Sequence, residues 1–174
     1  MRRTLALAAL VLVGLVLVLV VRAPDRPTGL AALRGQRVVR IGRAAVERVE
    51  LARGAETLRA RRVAGGWEVD GRRASAGFVD ALDDLIEALT RLRAIDVFRA
   101  RDGAHFGLAS PRGQIVVATA HRTVALDLGD FNDAGSALYV RRARDPRVLL
   151  VGTTVMSAVE RVFYQRGLVE KPAS

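Results

Sequence analysis

The amino-acid sequence predicts an α+β body with mainly antiparallel sheets and two covering amphipathic helices, preceded by one N-terminal transmembrane helix. Three observations lead to this fold class: an apolar run near the N-terminus, short segments that alternate apolar and polar residues, and two stretches with apolar residues at helical spacing. Alternation is typical of half-buried strands, whereas a period near 3.6 indicates an amphipathic helix. The chain has 174 residues, so the part after the apolar run suffices for one ordinary domain.

The apolar run covers residues 5–21 and follows Arg2 and Arg3. A helix of that length spans roughly 25 Å at about 1.5 Å per residue, which is just enough to cross the hydrocarbon core of a bilayer. We therefore predict a retained membrane anchor in residues 1–22. Because only a few residues precede it, we expect the basic N-terminus in the cytoplasm and the body in the periplasm of a bacterium, on a single-pass inner-membrane anchor.

A cleaved signal peptide is the alternative to a retained anchor. A signal peptide also begins with basic residues followed by an apolar run. The nearest match to a cleavage site is Val21-Arg22-Ala23, and Pro24 follows it directly. The apolar run is also longer than the usual apolar region of a signal peptide, which favours retention.

Residues 23–36 form a predicted linker, because they contain two prolines and two glycines. The predicted α+β domain covers residues 37–170, and residues 171–174 form a tail. Its first part contains three short alternating segments separated by glycine turns. These predicted strands centre on residues 49–51, 58–60 and 67–69.

Ser75 is the predicted N-cap of the first helix, because a short hydroxyl side chain can accept a hydrogen bond from the first free backbone N–H groups. The apolar residues that follow share one helical face: Phe78, Leu82, Leu85, Ile86, Leu89 and Leu92. The acidic residues fall mainly elsewhere: Asp80, Asp83, Asp84 and Glu87. We interpret these carboxylates as the solvated side of the helix rather than as a catalytic pair.

The second part of the body repeats the order of strands and then a helix. After a short extended segment at 95–98, alternation predicts strands at 115–119, 123–128, 137–142 and 147–151. A last helix is predicted at 154–165, with Gly167 as its stop. Its inward residues are predicted to be Val155, Met156, Val159, Val162 and Phe163. The shared order suggests a repeat at the level of architecture.

Charge and cysteine content exclude several functions. The net charge is +10, and Lys171 is the only lysine among 28 basic residues. Arginines such as Arg59 and Arg61 alternate with apolar residues, so we interpret them as a solvated sheet face rather than a nucleic-acid stripe, and we expect no nucleic-acid partner. Attraction to anionic lipid head groups beside the anchor is expected. The absence of cysteine excludes disulfides, thiolate metal sites and cysteine nucleophiles.

No metal, cofactor or catalytic set is expected. Residues 130–135 look like a calcium loop, but Ala134 and Arg141 stand where oxygen ligands are needed, so a hairpin turn is the better interpretation. His105 and His121 lack a third ligand. Ser110 lacks the Gly-x-Ser-x-Gly turn of a nucleophile. The sequence thus predicts a protein that is not an enzyme.

Several short motifs resemble a bacterial family, the domain of unknown function 4340. They are Gly66-Trp67-Glu68-Val69 before the first helix, the residues 105–111 after it, Leu128-Gly129-Asp130, and Leu138-Tyr139-Val140-Arg141. The resemblance covers nearly everything after the anchor. We expect its residues to form a packing element of the fold, since proline stiffens a loop and glycine permits unusual backbone angles. The positions concerned are Trp67, Phe106, Gly107, Leu108, Pro111, Gly129 and Tyr139.

The resemblance also implies a function. Members of that family are typically membrane-anchored and often associated with gliding-motility-type ABC transport systems. It therefore implies a non-catalytic accessory module of the cell envelope, with an envelope protein as partner, such as an ABC transporter subunit. The alternative is a periplasmic ligand-binding or hydrolytic domain whose site forms only in three dimensions.

Overall fold

A computed structural model of the chain describes residues 29–99 and 104–170 and shows an α+β fold, as predicted. The strands are β1 (Arg48–Arg53), β2 (Glu56–Val63), β3 (Gly66–Val69), β4 (Arg72–Arg73), β5 (Asp96–Arg99), β6 (Gly113–Ala118), β7 (Thr123–Phe131), β8 (Ala137–Arg142) and β9 (Arg147–Gly152). The α-helices are α1 (Ala76–Arg91) and α2 (Thr154–Glu170), and short 3-10 turns occur at Ala31–Leu33, Arg43–Ala45 and Ala104–Phe106.

All nine strands belong to one antiparallel sheet, in the order β4-β3-β2-β1-β6-β7-β8-β9-β5. Two four-strand meanders, each followed by a helix, are joined by the pairing of β1 with β6, in which Arg48 lies opposite Ala118 and Arg53 opposite Gly113. The predicted repeat of strands and then a helix is therefore present in the topology. The sequence predicted more than one sheet, and that part of the prediction is wrong, because residue alternation identifies the buried face of a strand but not its partner from a distant hairpin.

Strand β5 lies far in the sheet from the strands that precede it in the chain. It follows α1 in the chain, yet it pairs with β9 at the far edge of the sheet, with Asp96 opposite Leu150 and Arg99 opposite Arg147. The other edge is β4, which consists of two arginines. The segment between α1 and the second meander thus supplies the edge strand of that meander.

Helix α1 forms where the sequence predicts it. The Ser75 hydroxyl accepts a hydrogen bond from the backbone nitrogen of Phe78 at 3.3 Å, which satisfies one of the free N–H groups of the first turn. The apolar face is buried, and Leu85 is 0% exposed. Helix α2 packs against α1, and Arg161 of α2 pairs with Asp84 of α1 at 2.6 Å.

Both helices lie on the same face of the sheet. Strand residues that point to this face are buried, among them Val49, Leu58 and Ile115. The guanidinium of Arg53 lies 4.4 Å from the centroid of the Phe163 ring in α2, which links β1 to that helix. On the other face, the middle strands present polar side chains to solvent: Arg59, Arg61 and Gln114. We call this the uncovered face, because neither α-helix packs on it.

Helix α2 and strand β7 both end later in the chain than predicted. Helix α2 continues through Gly167 to Glu170 instead of ending there, because the cost of a helical glycine is only about 1 kcal/mol and neighbouring residues can offset it. Strand β7 extends to Phe131, into the predicted loop, with a register irregularity between Leu128 and Phe131. A bulge of this kind lets a strand continue through residues that break simple alternation.

The predicted anchor lies outside the described residues. In the part of the chain that the structure describes, no helix has both the length and the apolar character needed to span a membrane. The compact body begins at Leu33, and the backbone nitrogen of Gly35 already donates to the carbonyl of Ala94 at 2.7 Å. The end of the predicted linker is thus hydrogen-bonded to the body.

We predict that Leu85→Asp prevents the body from folding, because it places an uncompensated charge in the core. Leu85→Ala should fold but lose about 2 to 5 kcal/mol of unfolding free energy, the usual cost of a buried cavity. Urea unfolding followed by circular dichroism measures both. Asp80→Ala on the exposed side of α1 is the control, and a loss there equal to that of Leu85→Ala would contradict the assignment of the buried face.

Candidate functional site

The loop before β6 packs against the uncovered face, over β7 and β8. The Phe106 ring lies 4.8 Å from the Tyr139 ring and 5.9 Å from the Phe98 ring, measured between centroids. Leu108 is buried, and its carbonyl accepts a hydrogen bond from Arg141 Nη2 at 3.1 Å. The same Nη2 lies 3.3 Å from Oδ2 of Asp127. We call residues 105–110 the capping loop.

Two glycines allow this close approach. Gly107 has a φ of +66°, and a Cβ there would lie 2.7 Å from the backbone nitrogen of Asp130. A Cβ on Gly129 would overlap the carbonyl oxygen of Phe106. Five of the seven residues singled out in the sequence therefore meet in one cluster: Phe106, Gly107, Leu108, Gly129 and Tyr139.

The other two residues lie apart from the cluster. Trp67 is buried on the helix side of β3, with the Arg62 guanidinium 4.5 Å from its ring centroid. Pro111 is exposed after the capping loop. The ring contacts and close glycine approaches of the cluster hold the loop against the sheet.

A second feature is a cleft lined by arginines at the opposite end of the sheet. Two adjacent cavities, of about 510 Å³ and about 270 Å³, share the lining residues Val38, Arg40, Arg122 and Arg142. We call them together the arginine cleft. The arginines that line it are Arg37, Arg40, Arg122, Arg142, Arg144 and Arg147.

Asp145 is the one carboxylate among the residues that line the arginine cleft. Its Oδ1 accepts from Arg147 Nε at 2.8 Å, and its Oδ2 accepts from Arg142 Nη2 at 2.6 Å. The hydrogen bond from the Arg147 side chain is the main reason that the pKa of Asp145 is well below its usual range. Six arginines and one aspartate give the lining a net formal charge of +5.

The sequence interpretation missed this cluster, because it treated the arginines as scattered. They come from three segments that are distant in the chain: residues 37–40, the β6–β7 turn and the β8–β9 turn. In an antiparallel meander, alternate turns lie at the same end of the sheet. Arginines at alternate predicted turns could therefore have been expected to lie close together. Residues 37–40 carried no such signal, since they belong to no strand.

A third cavity, of about 550 Å³, lies between α1 and α2. Its guanidinium groups already have partners: Arg161 pairs with Asp84 at 2.6 Å, Arg91 pairs with Glu87 at 2.6 Å, and Arg93 donates to the carbonyl oxygen of Gly35 at 2.6 Å. Because these guanidinium groups have partners, this cavity offers less to a charged ligand than the arginine cleft does.

Known families were compared with the chain. Residues 79–163 match the family model described as Domain of unknown function (DUF4340). The DUF4340 match begins in the first turn of α1 and ends within α2, so it includes the capping loop, Gly129 and Tyr139, while Trp67 falls before it. A search of curated proteins and a search of solved structures each found no match.

The residues considered for metal binding are dispersed. Asn132 Oδ1 accepts from the backbone nitrogens of Ser136 and Ala137, at 2.9 Å each, which makes residues 132–137 a hydrogen-bonded turn. His105 and His121 are both exposed. Within residues 29–99 and 104–170, no group of three or more His, Asp or Glu side chains could hold a metal ion.

We predict that Gly129→Ala displaces the capping loop and lowers the free energy of unfolding by about 1 to 3 kcal/mol, the usual cost of an added group without space. Gly152→Ala in β9 is the matched control, because a Cβ there meets nothing within 4 Å. Urea unfolding measures the loss, and hydrogen exchange at residues 105–110 locates it. Equal stability of the two variants would contradict the packing described for the loop.

We predict that Asp145→Asn destabilises the body by about 1 to 2 kcal/mol at pH 7, because it removes a charged acceptor of several hydrogen bonds. Folding lowers the pKa of Asp145. Its contribution to the free energy of unfolding is therefore complete above the pKa of an unfolded aspartate, about 3.9, and is lost as the pH falls through the lower pKa of the folded state. The difference between wild type and variant should therefore shrink below about pH 4. Urea unfolding at pH 7 and pH 3 tests this, with the exposed Asp80→Asn as control; an unchanged difference at pH 3 would contradict it.

Proposed function

We propose that this chain is a membrane-anchored, non-catalytic interaction module of the bacterial cell envelope, with a protein of the inner membrane, such as an ABC transporter subunit, as its partner. The anchor is inferred from residues 5–21, and the association with transport systems is inferred from the family that matches residues 79–163. The proposed location is the periplasmic side of the inner membrane.

The main support for the proposal is the location of the polar groups at the surface of the body. None of the buried residues in the described ranges is polar or charged, and no buried side-chain nitrogen or oxygen there lacks a hydrogen-bond partner. Catalytic acids and bases usually need desolvation or a focused charge to shift their proton affinity. The charged groups described here instead lie at the surface, many of them in ion pairs such as Arg43 with Asp83, and surface charge is suited to recognition.

The shape of the body supports the same function. The helices cover one face of the sheet, while the uncovered face presents a broad polar surface around Arg59, Arg61 and Gln114. A body held at the bilayer by a short linker has a high effective concentration near a partner in the same membrane, so a modest surface suffices for association.

The alternative, a periplasmic ligand-binding domain, is favoured by one observation, the arginine cleft. A cleft of this volume lined by guanidinium groups is suited to bind a small anion. Binding of a small anion and binding of an envelope protein are compatible in one module.

The absence of cysteine allows a single experiment to test both placement and partnership. We introduce Gln114→Cys on the uncovered face or Tyr164→Cys on the helix layer, where Tyr164 is 66% exposed. A membrane-impermeant maleimide should label either cysteine in intact cells, because the body is outside the cytoplasm. A photo-crosslinking maleimide at the same position should then capture one integral membrane protein reproducibly from at least one of the two faces.

The buried Leu85→Cys serves as the control, since it should not be labelled in the folded protein. Labelling of Gln114→Cys only after lysis would contradict the periplasmic placement. Efficient labelling without any captured membrane protein from either face would contradict the interaction function.

A further inference from the structure

We propose that the arginine cleft is a binding site for a phosphate-type anion, carried either by a lipid head group or by a free phosphate compound. The inference concerns residues of the folded body alone, so it stands or falls independently of the envelope partner.

The first argument is charge. Within the described residues, no ion pair involves Arg37, Arg40, Arg122 or Arg144, whereas Arg142 and Arg147 share Asp145. Like charges held around one concave surface raise the local potential and concentrate anions there. Some exposed arginines elsewhere on the body, such as Arg43 and Arg161, have carboxylate partners. Others, such as Arg59 and Arg72, have no ion pair within the described residues, but they lie on exposed strand positions and do not line the cleft.

The second argument is the orientation of the donors. Arg142 and Arg147 are held by Asp145, and Arg122 Nη1 donates to the carbonyl oxygen of Arg40 at 3.0 Å. These three guanidinium groups are therefore fixed before any ligand arrives. A planar guanidinium presents paired N–H donors whose spacing matches two oxygens of a phosphate. Arg37 and Arg40, which have no side-chain partner within the described residues, are placed to complete the site.

The third argument is that the fold tolerates two unfavourable features beside the cleft. Arg99 lies directly opposite Arg147 in the β5–β9 pair, an arrangement of like charges that destabilises a sheet. Arg144 has a φ of +65°, in the left-handed region that favours glycine. A bound anion offsets the repulsion between Arg99 and Arg147. Arg144 supplies a positive charge at the rim of the arginine cleft, which a glycine at that position would not.

Size limits the ligand to a small group. The larger cavity, of about 510 Å³, falls in the range of about 300 to 1,000 Å³ that is usual for small-molecule sites. Its wall also includes the apolar side chains of Val38, Val124 and Ala125. A phosphate with a short organic substituent suits this combination.

The test uses the full chain in a neutral detergent. Isothermal titration calorimetry measures binding of inorganic phosphate and of pyrophosphate in one arm. In the other arm it measures binding of mixed micelles that contain phosphatidylglycerol, with phosphatidylcholine micelles for comparison. The cleft variant is Arg37→Gln with Arg40→Gln, and the control is Arg59→Gln with Arg72→Gln, which removes the same charge from exposed positions on β2 and β4.

We expect the cleft variant to bind at least about tenfold more weakly, since a charge-assisted hydrogen bond contributes enough for about that factor. The control should stay within about twofold of wild type. Binding of the soluble phosphates identifies a free compound as the source of the anion, and binding of phosphatidylglycerol micelles alone identifies a lipid head group; both results support the site. Equal weakening in the two variants, or no binding of any of these anions by the wild type, overturns it.

A second variant covers the case in which the double cleft variant does not fold. Arg144→Gly suits the left-handed backbone at that position, so its unfolding temperature should not fall below that of wild type. It should still bind the anion about threefold more weakly, because it removes one of the cations at the rim. Undiminished binding by a folded Arg144→Gly, together with an unaffected Arg122→Gln, overturns the proposal.

Discussion

The antiparallel pairing of β1 with β6 is the interaction on which the rest of the structure depends. It joins two meanders that are distant in the chain into one sheet, and it sets both helices on the same face. Pairing of distant segments is entropically costly to form, so we expect it to be late in folding relative to the local hairpins. The side chains at the centre of this pair, Val49 with Val117 and Leu51 with Ile115, are almost fully buried beneath the helices. Their burial stabilises the junction.

Local features were predictable from the sequence, and distant pairings were not. Helix α1 could be predicted because Ser75 supplies a cap and about four turns of apolar spacing follow it. Strands β1 to β3 could be predicted because their alternation is regular. Strand β4 has only Arg72 and Arg73, which is too short to produce alternation. The continuation of α2 past Gly167 depends on context that a residue preference cannot report.

The candidate sites show the same division. All five residues of the cluster around Gly129 lie in short motifs, so the sequence resemblance identified them without locating them in space. The arginine cleft depends on tertiary structure, because Arg122 and Arg142 meet only when the second meander forms and Arg40 joins them from the segment before β1. The DUF4340 match contains Arg122 and Arg142 but not Arg37 or Arg40, so one wall of the cleft lies outside the matched segment. A family pattern restricted to residues 79–163 therefore describes only part of this site.

The two edges of the sheet have a consequence for solubility. An open edge strand exposes unpaired backbone groups to which another chain can add, and proteins limit this hazard with short, charged edges. Here one edge is the Arg-Arg dipeptide of β4 and the other is the four-residue β5, bounded by Asp96 and Arg99. Neither offers the long, flat, apolar template that strand addition and fibril growth require. The folded body can in this way stay separate from its own copies even where its concentration is high.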